Sequence, residues 1–338
     1  MSSDNRATQR PAPVVVGVDD EATTGDAVAW AAAEAAARQC PLRLVHALRW
    51  TVIAGPFGLA LPPENLFMTQ EAAQLLLDAA VARARDVASD LGVSTWLRPW
   101  PLSRTLVEES RHAQLLVLGG HPVRDGGRPA RSATARIAAT AFCPVAIVRA
   151  FDGVPHARSA PRVVVGVGGT PSDADALRFA FRAAAQRGIP LLAVHARTPT
   201  GSPDLPTSRG FWAAAEATTQ RNLENALTPW RDKFADVPVI ARTSYADPAH
   251  ALVEASRGAA LTVIGIRSRS HLLTTIGPVG RTVLRDAHGP IAVVRHQRRP
   301  VPPPTRLRSI ELPASGFTSH RARRPPGIDR IRPDNGRA

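Results

Sequence analysis

The run Val14-Val15-Val16-Gly17-Val18-Asp19 decides the fold, because the chain writes it twice: it returns 149 positions later as Val163-Val164-Val165-Gly166-Val167-Gly168. Leu42-Arg43-Leu44-Val45-His46-Ala47 returns at the same offset as Leu191-Leu192-Ala193-Val194-His195-Ala196. Further on, Leu106-Val107-Glu108-Glu109-Ser110-Arg111 matches Leu252-Val253-Glu254-Ala255-Ser256-Arg257 at an offset of 146. Cys143-Pro144-Val145-Ala146-Ile147-Val148-Arg149 matches Gly289-Pro290-Ile291-Ala292-Val293-Val294-Arg295, again at 146. Four blocks repeated in one order describe two tandem domains, because solenoid repeats are far shorter.

Each copy alternates short β-branched runs with alanine-rich helical stretches. Val14–Val18, Leu42–His46, Leu115–Leu118 and Val145–Val148 are continuous apolar runs, as expected of strands covered on both faces. Weaker strands are predicted near Val93–Leu97 and Val237–Ala241, and helices over Asp26–Gln39, Glu71–Leu91, Ser103–Ser110 and Ser132–Thr140. In copy two the third helix opens with Asp247-Pro248, an acid at the N-cap and a proline at the first helical position. Alternating elements of this kind predict an α/β fold with a parallel, doubly wound sheet and right-handed crossovers. Such sheets bind ligands beyond the carboxyl ends of their strands.

Charge narrows the partners. The 338 residues carry 42 Lys+Arg against 28 Asp+Glu, a net +14, and Lys233 is the one lysine. Half of that excess lies in residues 296–338, with ten arginines and three acids, whereas residues 14–149 are neutral. This distribution does not describe a basic groove on a folded body. The tail, with eight prolines and no periodic apolar pattern, is predicted to be disordered. It lacks interleaved aromatics, and a solvated extension is favoured over a nucleic-acid binder. Cys40 and Cys143, the two cysteines, make no metal-ligand spacing and predict no disulfide framework. The polar start and the absence of a long apolar run predict a cytoplasmic chain that is not a membrane protein. Residues 1–13 read as a flexible N-terminus, 14–149 and 163–295 as the two domains, 150–162 as the linker and 296–338 as the tail.

VVVGVDD at 14–20, VHA after the second strand, LVEAS…ALTVIG at 252–265 and CPVAIVR at 143–149 resemble the universal stress protein family. The resemblance covers both copies. It implies a Rossmann-like fold, a five-stranded parallel sheet in each copy and dimer-like pairing of the domains. In the ATP-binding branch of that family an Asp after the first strand faces the adenosine. A loop of the form G-x2-G-x9-G-[ST] after the fourth strand wraps the phosphates. Glycines in such a loop let backbone N–H groups converge on an anion, and a helix N-terminus adds a favourable dipole.

Each copy keeps part of that pattern. Copy one has Asp19, Gly119 and Ser132, but Pro122 and Arg131 replace the second and third glycines and the loop is one residue short. Pro122 and Pro129 supply no N–H, while Arg124 and Arg131 offer side-chain charge in its place. The alternatives are ordinary solvated loop arginines, and for Asp19 a simple turn residue. Copy two keeps Gly265 and Gly277, but Gly168 replaces the Asp, Ser268 the second glycine and Pro278 the terminal hydroxyl residue.

His46 and His195 sit at equivalent strand ends and read as packing residues before catalytic bases. Cys143, ahead of a proline and a strand, reads as an inert thiol. The dinucleotide G-x-G-x-x-G is absent after the first strand, which removes the dehydrogenase reading. The resemblance thus implies a stress-response factor that binds ATP, with Mg²⁺ as companion, weakly or in the first domain alone. No catalytic residues or metal ligands are expected, and at most weak hydrolysis. The competing expectation is a degenerate pair acting as a protein-interaction module. The partners expected are an adenine nucleotide and the intramolecular domain pair, with a homodimer allowed.

Overall fold

β1 (Val14–Val18) is buried at every position, the signature of a strand with helices on both sides. The computed structural model describes residues 11–19, 21–47, 54–55, 58–59, 63–98, 101–120, 133–149, 160–170, 173–198, 209–266 and 276–296. Copy one continues with α1 (Glu21–Ala37), β2 (Leu42–Ala47), β3 (Ala54–Gly55), β4 (Gly58–Leu59), α2 (Pro63–Val87), β5 (Val93–Arg98), α3 (Leu102–Glu109), β6 (Leu115–Gly120), α4 (Ala133–Thr140) and β7 (Val145–Arg149). Copy two comprises β8 (Arg162–Gly166), α5 (Ala174–Arg187), β9 (Leu191–Ala196), α6 (Arg209–Lys233), β10 (Val239–Ser244), α7 (Pro248–Ala255), β11 (Ala259–Ile266), α8 (Pro278–Asp286) and β12 (Ile291–Arg295).

Ten strands form one sheet in the order β10-β9-β8-β11-β12-β7-β6-β1-β2-β5. Each copy supplies five parallel strands, as the doubly wound reading requires. The halves meet where β7 and β12 run antiparallel, with Ile147 opposite Ile291, Ala146 opposite Ala292 and Val145 opposite Val293. Ala146 and Ala292 hold the same position in the two copies, so their pairing marks a local two-fold axis.

Side-chain alternation along the strands divides the core. Val14, Val16 and Val18 face one layer with α1, α2, α5 and α6, where Ala27, Ala31, Leu77, Phe181 and Leu223 are buried. Val15 faces the opposite layer with α3, α4, α7 and α8, where Leu106, Ile137, Leu252 and Val283 are buried. Alanine on α1 lets that helix approach the sheet closely. Among the described residues no helix is long and apolar enough to cross a membrane.

Several boundaries differ from the sequence reading. α1 begins at Glu21 instead of Asp26. α2 begins at Pro63, a residue that opens a helix without losing a hydrogen bond, and stops at Val87 before the Ser89–Asp90 turn. β10 begins at Val239, because Pro238 has no N–H for the ladder and uses its carbonyl to accept from Leu191. Arg162, placed in the linker, opens β8 and donates to the carbonyls of Ala255 and Arg257. The tail from 297 onward and most of the linker lie outside the described residues.

The repeated Leu-Val-Glu blocks acquire a reason. Buried Ser110 donates to the Val107 carbonyl and accepts the Phe142 N–H at 2.9 Å. Ser256, also buried, donates to Val253 and accepts the His288 N–H at 2.9 Å. Each serine ties the end of one helix to the turn before the last strand of its copy.

Candidate functional site

Copy two holds a crevice of about 500 Å³ at the carboxyl ends of its strands. Its walls come from Gly166 at the end of β8 with Val167 and Gly168 beyond it, Val194 and Ala196 of β9, Ile264–Ile266 of β11, Pro248 and Leu252 of α7, and Gly277–Gly280 opening α8. This volume lies within the usual range for small-molecule sites. Its position follows from topology: β8 and β11 are neighbours whose crossovers leave in opposite directions, so a gap opens past their ends.

Glycines make room for it in different ways. A side chain at Gly166 would press on Leu252, with the added Cβ 3.0 Å from its Cδ1. Gly17, its counterpart in copy one, is tighter, at 2.7 Å from Leu106 Cδ1. Gly265 would meet Ala176 at 3.4 Å. Gly277 is extended, with φ −64° and ψ 173°, and has open space around it, so neither backbone nor packing demands glycine there. Gly280, which the motif comparison passed over, is the constrained one: a Cβ would lie 2.6 Å from Ile276 Cγ2. The signal that could have found it is the Gly-Pro-Val-Gly spacing at the start of α8.

α8 presents its N-terminus to the crevice. Gly277 is the N-cap and its carbonyl accepts from Arg281 at 2.9 Å, while Pro278 occupies the first helical position. Pro278 has no N–H, which leaves the amides of Val279 and Gly280 as the terminal donors.

Asp173 is the second residue the motif comparison missed. It lines the crevice, and its Oδ2 accepts the Gly168 N–H at 3.1 Å and the Thr170 N–H at 2.7 Å. Asp19 in copy one is exposed, and its N–H donates to Thr24 Oγ1 at 3.4 Å. Gly119, the counterpart of Gly265, is the last but one residue of β6 and lies beside Val148 of β7. Arg124, Arg131 and Ser132 lie outside the described residues, as does Ser268.

The histidines are fixed in matching ways. Nδ1 of His46 lies 2.7 Å from the Val18 carbonyl, and Nδ1 of His195 lies 2.7 Å from the Val167 carbonyl. A carbonyl only accepts, so in both rings Nδ1 carries the proton and ties the end of a second strand to the end of a first. Burial pushes the Cys143 thiol up to about 12 and raises that of Cys40. Neither is a nucleophile at neutral pH. Among the described residues no cluster of three His, Cys, Asp or Glu side chains could hold a metal ion.

A duplicated, doubly wound unit with a glycine-walled crevice at its strand ends defines the class to which comparison then assigns the chain. The sequence model of the universal stress protein family matches residues 12–149 and again 160–295, and the chain belongs to that family. It is 32% identical over 290 residues to a universal stress protein of Mycolicibacterium smegmatis, covering 83% of this chain and 96% of the relative. It is 33% identical over 296 residues to one of Mycobacterium bovis, with the same coverage. A crystal structure of a universal stress protein from Archaeoglobus fulgidus superposes with a TM-score of 0.61 at 12% identity, over 84% of this chain and 96% of that one. This last likeness is one of fold.

Proposed function

We propose that the chain is a stress-response protein of the cytoplasm that senses an adenine nucleotide, ATP above all, by binding it at the strand ends without acting as an enzyme. The observation that carries this reading is the crevice of copy two, with glycine backbone on its walls and the α8 N-terminus at its rim. Backbone amides and a helix dipole of this kind favour a phosphate. In copy one, Asp19 stands at the equivalent strand end, exposed and able to accept from an adenosine. The notable weakness of the second copy is Pro278, which supports weak binding there and places the stronger expectation on the first. Mg²⁺ would accompany a triphosphate, held by the phosphates more than by the protein. The two copies act as an intramolecular pair through β7 and β12.

Isothermal titration of the full chain with ATP and Mg²⁺, repeated on Asp19→Ala, tests this. Measurable heat that falls by tenfold or more in affinity for the variant is expected, in line with loss of a hydrogen bond to a charged group. No heat from the intact chain overturns it.

The second reading, an interaction module whose crevices no longer take nucleotide, is favoured by the departures from the motif in both copies, Pro122 and Arg131 in the first and Gly168, Ser268 and Pro278 in the second. Native mass spectrometry of freshly purified protein separates the two, since a co-purified nucleotide mass excludes the module reading.

A further inference from the structure

Copy one carries a second cavity, at the free edge of the sheet. It has a volume of about 230 Å³ and is lined by Arg98 of β5 and by Arg104, Thr105, Glu108 and Glu109 of α3. It stands apart from the crevice position. In copy two the crevice takes Pro248 and Leu252 from α7, the counterparts of Leu102 and Leu106, and none of the five counterparts of the residues lining this cavity. We infer that the cavity is a binding site for a small monocarboxylate, whose oxygens accept hydrogen bonds from Arg98 and Thr105. This inference is independent of the nucleotide reading.

Its acids are already taken and its donors are not. Glu109 Oε2 accepts from Arg43 at 2.9 Å, and Glu108 Oε2 accepts from Arg111 at 3.0 Å. The ion pair between Arg98 and Glu109 is 3.8 Å long, beyond hydrogen-bond reach. The Arg98 guanidinium lies 4.3 Å from the centre of the Trp96 ring, a contact that orients the fork before a ligand arrives. Thr105 is 8% exposed, and its Oγ1 is buried with no hydrogen-bond partner among the described residues. A hydroxyl left in that state destabilises the empty site, and an acceptor in the cavity relieves it.

The fold does not require this set. Trp96, Arg98, Thr105 and Glu109 correspond to Arg242, Ser244, Ala251 and Ala255, and β10 and α7 form with those residues instead. The two acids on the wall limit the charge of the ligand. A dianion meets repulsion from Glu108 and Glu109, whereas a single carboxylate matches the planar fork of Arg98.

The test is saturation-transfer NMR of the full chain with butyrate, butyramide and inorganic phosphate. Butyrate is expected to bind with a Kd of about 1 mM, and butyramide and phosphate about tenfold or more weakly. Arg98→Gln keeps a polar side chain without the charge and is expected to weaken butyrate about tenfold. Thr105→Val keeps the shape and removes the hydroxyl, so butyrate binding should fall about fivefold while the thermal midpoint of the ligand-free chain rises. A purely structural threonine would leave butyrate binding unmoved. Butyrate binding that either substitution leaves unchanged, or no butyrate binding up to about 20 mM, overturns the inference. Phosphate binding tighter than butyrate overturns the carboxylate assignment. Neither residue has a counterpart in the crevice, so this result and the ATP titration stand or fall separately.

Discussion

Arg187 of copy two donates to Glu34 of copy one, across the boundary between the repeats. Glu34 is 2% exposed and also takes Arg38 of its own helix, at 2.8 Å from Nε. The arginines are counterparts, and each lies over the aromatic ring of the opposite copy: Arg38 at 5.5 Å from Phe179, Arg187 at 5.8 Å from Trp30. Trp30 and Phe179 are counterparts too. Only the acid breaks the symmetry, because the equivalent of Glu34 is Ala183.

Replacing Glu34 by Ala leaves two largely buried arginines without their carboxylate. The expected loss of stability is about 2–4 kcal/mol, from the cost of uncompensated buried charge. Urea denaturation of Glu34→Ala, Arg187→Ala and the double variant measures the coupling directly. A double variant whose loss equals the sum of the single losses would refute the pairing.

The repeated serines predict repeated costs. Ser110→Ala removes the hydroxyl that accepts the Phe142 N–H and Ser256→Ala the one that accepts the His288 N–H, each for about 1–3 kcal/mol. The two losses should be similar and additive, because the sites belong to different copies. Thermal unfolding of both single variants and the pair reads this.

Gln39, in the turn after α1, has a φ of 52°, and its counterpart Gly188, which caps α5, has 60°. A left-handed conformation is uncomfortable for a residue with a Cβ. Gln39→Gly is expected to stabilise the chain by about 0.5–1 kcal/mol, net of the backbone entropy that glycine adds. A lower denaturation midpoint for the variant would contradict this.

At the crevice, Gly277→Ala and Gly280→Ala should part company. Gly277 has open space and ordinary dihedral angles, so its variant keeps the wild-type thermal midpoint. Gly280 would drive a methyl into Ile276 and shift the start of α8, costing about 1–3 kcal/mol as overpacking does. Equal midpoints for the two variants would refute the distinction.

The folded chain holds the Cys143 proton tightly, with a pKa pushed up to about 12, chiefly by burial. The unfolded thiol ionises at an ordinary pH of about 8.5. Stability that is whole below that pH is therefore lost as pH rises towards 12. At pH 8, maleimide labelling should be slow in the native chain and fast in denaturant. Fast native labelling at Cys143, read by peptide mass spectrometry, would contradict the burial.

Much of the architecture was legible because periodicity reports burial. Val14–Val18 and its repeat could only be strands covered on both faces, and the repeat itself set the copy number. Ends of helices were less legible: α1 opens at Glu21 and α2 at Pro63, starts that apolar spacing does not encode. The motif glycine at Gly277 was misleading, because neither backbone nor packing demands it there, whereas Gly280, which packing does constrain, stands outside the motif. Asp173 escaped because motif matching looks for the acid at a fixed position, and this one lies five residues further along the chain.

The facing of Ala146 and Ala292 across the joined sheet frees the two repeats from resembling each other. Two identical chains meeting there would present every residue twice, and a useful acid on one side would face its own copy on the other. Joined in one polypeptide, each repeat meets a single, known neighbour. Glu34 can then serve both arginines while position 183 remains alanine, and the acid that follows the first strand can stand at position 19 in one repeat and at position 173 in the other. Division of labour between the halves is open to a fused pair and closed to a symmetric one.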